Sequence, residues 1–488
     1  MAEPKRRVME SVHFHSNVTV SEAEYDEKAT GRLLRRIDLY LIPLLALLYL
    51  MSFLDRSNIG NARLAGLERD LKMQKLDYNV ALAIFFPFYV AAEIPSNLMM
   101  KRFRPSIWIP FIMITWGTMT CVMGRVHNYS GLLAARAALG LAEGGLFPGI
   151  TFYITMWYRR HECGFRMALF FSAATAAGAF GGLLARGIME LDRKLGVSAW
   201  AWIFYIDGAI TVAIGLIAFG LMYDYPGTAK FLSEVDRFEV QRRLAADRSH
   251  LDDSFHSKYI WKAFKDWKIW VHMFITIGIY SPLYTFSLFL PTIIKQLGYT
   301  DKMAQLMTVP PYAVACFFCI FAGWMADRHG QRGIYMITFN CIAMIGFIIQ
   351  LCSLDPKIRY LGTVFGAAGI YPNVSQAVAW NGNNIGGSTK RSVGIAMQVG
   401  CGNLGGILSG FTYTYMDAPL FHHGHLIVIS LLAMSTVLCI FMRWWCTQEN
   451  KKRDATDART GRVNGWTKQA IENQRENGDD AGFFRYTV

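Results

Sequence analysis

The chain has 488 residues, 53% of them hydrophobic, and its 49 Lys and Arg against 36 Asp and Glu give a formal net charge of +13. That apolar fraction excludes an ordinary soluble protein of this length, and its even spread excludes a single signal or anchor segment. The charge alone would admit a nucleic-acid binder, but no base-stacking module accompanies it, so no nucleic-acid partner is expected.

Residues 1–37 are polar and hold no short apolar run followed by a small-residue cleavage site, so no cleaved signal peptide is expected. Read with a window of roughly 19 residues, stretches long enough to cross a bilayer core of about 30 Å follow. They lie near 38–57, 79–100, 106–124, 131–156, 166–189, 200–223, 270–294, 304–326, 333–354, 359–381, 391–414 and 424–446. Each is predicted to be a helix, because lipid cannot satisfy open backbone groups. The predicted fold class is an all-α membrane protein with twelve transmembrane helices in two six-helix bundles, 38–224 and 269–446. Tails at 1–37 and 447–488 flank them, and a polar linker at 225–268 separates them. Parallel halves of this kind place a binding site between them. In the linker, Ser233 followed by Asp236 predicts the cap of a short helix carrying Arg237, Arg242 and Arg243.

An even number of spans puts both termini on one side. Lys5, Arg6, Arg7, Arg35, Arg36, Lys101, Arg102, Arg159, Arg160, the linker, Arg328, Arg332, Lys390, Arg391 and the basic tail fall there. The positive-inside rule makes that side cytoplasmic, and the excess charge is also a handle for anionic lipid. Most of the nine cysteines lie inside apolar runs. Cys316-Phe-Phe-Cys319 lacks a second ligand pair, so neither metal sites nor disulfides are expected.

A weak internal repeat sits at the turn after the second helix of each half. The second half reads Gly323-Trp-Met-Ala-Asp327-Arg328-His-Gly330-Gln-Arg332, and the first half has Ser96-Asn97-Leu98-Met99-Met100-Lys101-Arg102-Phe103 at the matching place. The Gly323–Arg332 stretch resembles the glycine–aspartate–arginine loop of the major facilitator superfamily. The first copy departs from it, with Met100 where that family usually has the aspartate. This departure resembles the anion:cation symporters and, within them, the fungal allantoate-permease group. The narrower resemblance runs from about 32 to 446 through Phe53-Leu54-Asp55-Arg56-Ser57-Asn58-Ile59-Gly60, Glu93-Ile94-Pro95-Ser96-Asn97, Phe147-Pro148-Gly149, Val309-Pro-Pro-Tyr312, Gly369-Ile-Tyr-Pro-Asn373 and Gly402-Asn403. It implies the fold, secondary active transport and an anionic substrate class, without naming the substrate.

Ionisable residues within spans are costly, so they are functional or paired. Arg136 and Glu143 lie seven apart, about two turns, and share a face of the fourth span. Arg136 suits bidentate binding of a carboxylate, and Glu143 suits a proton held in a buried site. The competing reading is a pair that only orients helices; the resemblance favours substrate coupling and protonation. Asp55 and Arg56 end the first span about 100° apart, as a second proton site and a substrate contact, against an interfacial pair that merely snorkels. Glu93, Lys101, Arg102, Asp207, Asp327, Arg328 and Arg332 are read as cytoplasmic-gate or structural residues. Asn403 lies among glycines, where function and close helix packing both fit. Tyr280, Tyr284, Tyr312 and Tyr371 are candidates to line the second-half wall of the cavity, with interhelical packing as the alternative for each. His422, His423 and His425 are expected to be exposed, and the Asn128 and Asn373 sequons are discounted.

The expected activity is proton-coupled uptake of a small organic anion by a monomer in the plasma membrane. No cofactor is expected beyond the coupling proton. Proton-driven export is the first alternative. Gly178-Ala-Phe-Gly181-Gly182 lacks the proline usual in antiporters of the superfamily, which counts against it. A nutrient sensor is the second, and the intact Asp55, Arg136 and Glu143 count against that. An enzyme is not expected, since no nucleophile–base pair or phosphate loop is recognisable outside the spans.

Overall fold

The computed structural model describes residues 27–460 apart from 75, 160–161, 194–195, 249–256, 415–416 and 419, together with 474–488. Lys5, Arg6, Arg7, Arg160 and the side chain of Lys101 lie outside the described residues.

The described chain builds twelve long helical units. They are α1 (Glu27–Leu64), α2 (Asp77–Ala83 and Phe85–Arg102), α3 (Pro105–Met123), α4 (Tyr129–Glu143 and Leu146–Thr155), α5 (Cys163–Ile188) and α6 (Ala199–Leu221). After the linker come α7 (Trp267–Gln296), α8 (Asp301–Leu306 and Val309–His329), α9 (Gly333–Cys352), α10 (Pro356–Asn384), α11 (Ser388–Thr412) and α12 (His422–Arg459). The breaks have a common cause. A proline ring clashes with the carbonyl four residues back, and Pro87, Pro148 and Pro311 stand four after Ala83, Gly144 and Met307, where α2, α4 and α8 are interrupted.

Nine helices among the described residues are long and apolar enough to cross a membrane. The other three units, α2, α10 and α11, are broken or carry polar side chains that packing satisfies. Asn381 Nδ2 donates to Gln398 Oε1 at 2.8 Å, Gln398 Nε2 to Thr276 Oγ1 at 2.8 Å, and Asn373 Nδ2 to Asn340 Oδ1 at 2.7 Å. α1 and α12 run well past their predicted ends on the termini side, through residues such as Lys28, Arg32, Lys451 and Arg453.

The halves pack alike. In the first, α1 packs on α5, α2 on α4 and α3 on α6; in the second, α7 packs on α11, α8 on α10 and α9 on α12. The bundles meet through α1 with α7, α2 with α11 and α5 with α8. Glycines allow the closest approaches: a Cβ on Gly60 would stand 2.6 Å from the Leu288 carbonyl oxygen. At that end, away from the termini, Asn79 Nδ2 also donates to the carbonyls of Gly410 (2.5 Å) and Tyr413 (3.2 Å). At the termini end, Asp327 accepts the Phe165 backbone N–H at 2.6 Å and pairs with Arg332, which donates to Gln376 at 2.8 Å. Arg166 grips Asp38 through two bonds, at 2.6 and 2.9 Å, tying α1 to α5. The linker helix Glu234–Arg248 carries the predicted cap, with Asp236 N–H donating to Ser233 Oγ at 3.2 Å.

Two expectations need correction or extension. His422 and His423 are exposed, but His425 is fully buried and bonded to the Tyr413 hydroxyl at 2.9 Å, because it faces the bundle from the first turn of α12. The segment 474–488 is docked under the second bundle. Asp479, fully buried, bonds the ammonium groups of Lys268 and Lys390, the latter at 2.7 Å. Thr487 and Asn384 bond each other at 2.7 and 3.0 Å, and Arg453 donates to the Phe484 carbonyl at 2.8 Å. Gly478, with φ of 62°, lies against Gly386, on which a Cβ would collide with the backbone nitrogen of Asp479.

Burial pushes the Asp479 carboxyl up, but the ammoniums of Lys268 and Lys390 outweigh it and hold the group below the usual carboxylate range. Its contribution is therefore complete above the ordinary carboxylate pKa of about 3.9 and is lost only as pH falls through the depressed value. Removing one partner of a buried ion pair costs about 3–5 kcal/mol. Asp479→Ala is expected to release 474–488, raising its amide exchange about a hundredfold or more, while in the unmodified chain docking stays constant between about pH 5 and 8. Hydrogen-exchange mass spectrometry in nanodiscs checks both.

Candidate functional site

Between the bundles, at mid-depth, lies a small cavity lined by Tyr49, Arg56, Tyr89, Phe147, Phe171, Tyr280, Leu283, Tyr284, Val374 and Asn403. Its volume is about 10 Å³, room for roughly one water. A ligand of several heavy atoms therefore requires the bundles to part.

α1 supplies the charged wall. Arg56 Nη2 is 2.6 Å from Glu143 Oε1, with side-chain exposures of 6% and 0%. Ser52, one turn before Arg56, donates to the same Glu143 oxygen at 2.5 Å. The second bundle answers through α7 and α11. Arg56 Nη1 donates to the Tyr284 hydroxyl at 3.0 Å, and that hydroxyl donates to Asn403 Oδ1 at 2.6 Å. A continuous polar chain thus runs Glu143–Arg56–Tyr284–Asn403 across the interface. The Arg56 guanidinium also lies 4.8 Å from the Tyr89 ring centre and 5.1 Å from that of Phe85, within cation–π range.

Bonding capacity is left over here. Among the described residues, Arg56 Nε, Glu143 Oε2 and the Tyr280 hydroxyl are buried without a partner. Glu93, 2% exposed, points at α11 beside Gly400, with its carboxyl toward the Asn403 amide.

The predicted residues divide. Arg56, Tyr280, Tyr284 and Asn403 line the cavity, and Glu143 bonds one of them. Arg136 does not line it. Its guanidinium sits behind Phe85, 5.1 Å from the ring centre, with Nε donating to the Ala81 carbonyl at 3.2 Å and both Nη atoms buried without partners. Tyr371 packs against Tyr312 at 5.7 Å and Phe53 at 6.4 Å, outside the lining. Asp55 faces away from the cavity: its Oδ2 accepts from Trp116 Nε1 and Thr211 Oγ1, both at 2.9 Å. Asp207 lies beside it and accepts from Asn58 at 2.5 Å. Asp327 and Arg332 tie the termini end as described above, whereas Arg328 and Arg102 are exposed, Arg328 with its guanidinium over the Trp324 ring.

Sequence reasoning missed Tyr49, Tyr89, Phe147, Phe171, Leu283 and Val374. A signal existed for Tyr49, which lies seven residues before Arg56 and so on the same helical face. Tyr89 similarly lies four before Glu93.

The sequence model of the Major Facilitator Superfamily matches residues 45–410. The chain is 34% identical to the MFS-type transporter cnsO of Penicillium expansum, over 94% of this chain and 90% of that one. It is 32% identical to the high-affinity nicotinic acid transporter of Saccharomyces cerevisiae, over 87% of this chain and 79% of that one. Among solved structures, a bacterial homologue of the human lysosomal transporter Spinster, inward-facing and occupied, superposes with a TM-score of 0.59 at 14% identity. That likeness covers 82% of this chain and 96% of the other.

Arg56 and Arg136 differ in what their loss leaves behind. Arg56→Met strands Glu143 in the interior, at a cost of about 3–5 kcal/mol, while Arg136→Met replaces an unpaired buried cation by an apolar group of similar length. The first variant is expected to melt well below the parent and the second close to it, in thermal unfolding of detergent-solubilised protein.

Proposed function

The chain belongs to the major facilitator superfamily, a multi-pass membrane transporter and not an enzyme, and we propose that it carries a small organic anion in symport with protons. The observation that carries this reading is the 2.6 Å pair between Arg56 and Glu143 in the wall of the inter-bundle cavity. A carboxylate substrate needs the same guanidinium fork that Glu143 occupies. While Glu143 is ionised, it competes with the substrate. A proton on Glu143 cancels its charge and leaves Arg56 to the substrate. Proton and anion then favour each other's binding, which is the thermodynamic requirement for symport.

The local charge supports an anion. Around the cavity two guanidiniums, Arg56 and Arg136, meet two buried carboxyls, Glu143 and Glu93, the latter beside Asn403. A proton on Glu143 or Glu93 therefore leaves a positive excess for an anion. Arg136 contributes through its field from behind Phe85, and its two unpartnered Nη groups become contacts if Phe85 moves aside as the bundles part. Tyr284 and Asn403 supply one donor–acceptor pair from the second bundle. The rings of Tyr49, Tyr89, Phe147, Phe171 and Tyr280 favour a planar or ring-bearing carboxylate over an extended hydrophilic one. The Saccharomyces relative bears the name of a nicotinic acid transporter, a substrate of that chemistry. Tyr371 belongs to a ring cluster with Tyr312, Phe53 and Phe286, one layer away from the cavity. No cofactor is called for besides the coupling proton. The Lys and Arg bias of the termini side favours cytoplasmic termini, in a monomer that takes up its substrate across the plasma membrane.

The test is uptake of a panel of radiolabelled carboxylates, with ring-bearing monocarboxylates foremost, into proteoliposomes under an inward proton gradient. The parent protein is expected to concentrate at least one of them and to lose the gradient with a protonophore. Glu143→Gln mimics the protonated acid, so it is expected to lose proton-driven accumulation while still exchanging labelled for unlabelled substrate. Accumulation by Glu143→Gln equal to the parent's would overturn the role given to this pair.

A further inference from the structure

We infer that Asp55 and Asp207 together form one shared-proton site inside the first bundle, separate from the cavity, so that Asp207 is a working member of the coupling machinery and not only a helix clamp. This inference rests on the symport reading above for its place in the transport cycle, though not for the existence of the site.

The two carboxyls come from α1 and α6, and both are fully buried. Two hydrogen bonds cross between their helices, Asn58 of α1 to Asp207 and Thr211 of α6 to Asp55, and set the two carboxyls next to each other. Each uses its Oδ2 to accept from fixed donors: Trp116 Nε1 and Thr211 Oγ1 at Asp55, and Asn58 Nδ2 at Asp207. Asn58 is itself oriented by Asn61, whose Nδ2 donates to Asn58 Oδ1 at 3.0 Å. Each carboxyl has its Oδ1 left without a protein donor among the described residues. The other ionisable groups facing the pair are the Cys121 thiol from α3 and, at longer range, Glu143 from α4. Among the described residues no lysine, arginine or histidine is ion-paired with either acid.

Two adjoining carboxylates in a low-dielectric interior cannot both be ionised, so the pair keeps at least one proton. The unpartnered Oδ1 atoms are the places from which a carboxyl O–H would bridge to its neighbour. The donor set also selects the occupant. Trp116, Asn58 and Thr211 turn N–H and O–H groups toward the acids, which stabilises a monoanion and opposes a metal cation. The pair therefore moves between one proton and two. The second proton enters as Asp55–Asp207 goes from monoanion to neutral, and no other bond changes. Because Asp55 precedes Arg56 on α1, the site and the substrate arginine share a rigid backbone while facing different neighbours.

The test uses the full chain in lipid and two readouts. The first, infrared difference spectroscopy across pH, needs no substrate. The readout is the part of the pH-responsive buried carboxyl band that persists in Glu143→Gln. It is expected in the parent, lost in both Asp55→Asn and Asp207→Asn, where only the Glu143 contribution remains, and kept in the conservative Asp207→Glu. The second is accumulation, in proteoliposomes, of the labelled carboxylate that the uptake panel selects. Two protons per cycle allow about a 100-fold change in accumulation per pH unit and one proton about tenfold, so Asp207→Asn is expected to reduce the slope from the first towards the second. Asp207→Glu should restore it. An Asp207→Asn protein with an unchanged band and slope overturns the inference, and so does a parent band that never responds to pH, which marks a permanently protonated clamp. A band that titrates as expected beside uptake that ignores the pH gradient sinks the symport reading while leaving the shared-proton site in place.

Discussion

The buried contact between Arg56 and Glu143 sets the terms for the middle of this protein. A guanidinium and a carboxylate taken out of water lose solvation that only close pairing offsets, so neither is stable there alone. Each has bonding capacity that the other does not use: Nε of Arg56 and Oε2 of Glu143 are both unpartnered. The pair is thus satisfied as a charge and incomplete as a hydrogen-bonding unit. On the proposed function, replacing one partner by another anion, or cancelling one charge with a proton, costs less than simple removal. Tyr284 and Asn403 extend the pair into the second bundle, so a change in its state is felt across the interface and not only within the first bundle.

The interface has to part and rejoin, and its construction fits that need. Where the bundles touch, small residues bring backbones together: Gly60 against Leu288, Gly323 against Ala168, and Gly164 beside the Asp327–Arg332 pair. Such contacts pack well when joined and leave no long side chain stranded when separated. The polar ties lie mostly near the two ends, Asn79 to α11, Gln305 to Asn61 and Lys302 to Glu190 at one and Asp327 to Phe165 at the other, with Arg56–Tyr284 between them. Within each bundle the polar residues are knitted more thoroughly, as in Trp116–Asp55–Thr211 of the first and the Asn381–Gln398–Thr276 and Asn373–Asn340–Ser435 chains of the second. This difference allows each bundle to move as a body.

Much of this was legible in the sequence, for a physical reason. Charges in apolar spans are expensive, so Asp55, Arg56, Arg136, Glu143 and Glu93 stood out without any structure. The linker and its Ser233–Asp236 cap followed from local rules. The relations among those residues were not legible. Periodicity placed Arg136 and Glu143 on one face, yet Phe85 from α2 screens Arg136 from the cavity, and nothing local to α4 encodes that. Aromatic residues such as Tyr49, Tyr89 and Phe171 are ordinary in apolar helices, and only the packing of α1, α2 and α5 selects them as walls. Asp207 read as a structural residue because its partner Asp55 lies 152 positions earlier. The docking of 474–488 depends on Lys268 and Lys390 meeting Asp479 across 211 and 89 positions, a pairing that no window on the chain reveals.

α1 is the element through which these parts communicate. Consecutive residues on a helix point about 100° apart, so Asp55 and Arg56 occupy different compartments while their backbones cannot move independently. Asp55 is held against α3 and α6 by Trp116 and Thr211; Arg56 is held against α4 and the second bundle by Glu143 and Tyr284. A change of charge on either side alters the preferred rotation or tilt of the same short stretch of backbone. Ser52, bonded to Glu143 one turn earlier, and Asn58, bonded to Asp207 less than one turn later, lengthen the region that must respond together. The close passage of Gly60 by the Leu288 carbonyl then puts the end of that stretch against α7 with no side chain between to absorb the movement. On the proposed symport, protonation inside the first bundle, occupancy of Arg56 and the α1–α7 contact are coupled through this one stretch of backbone.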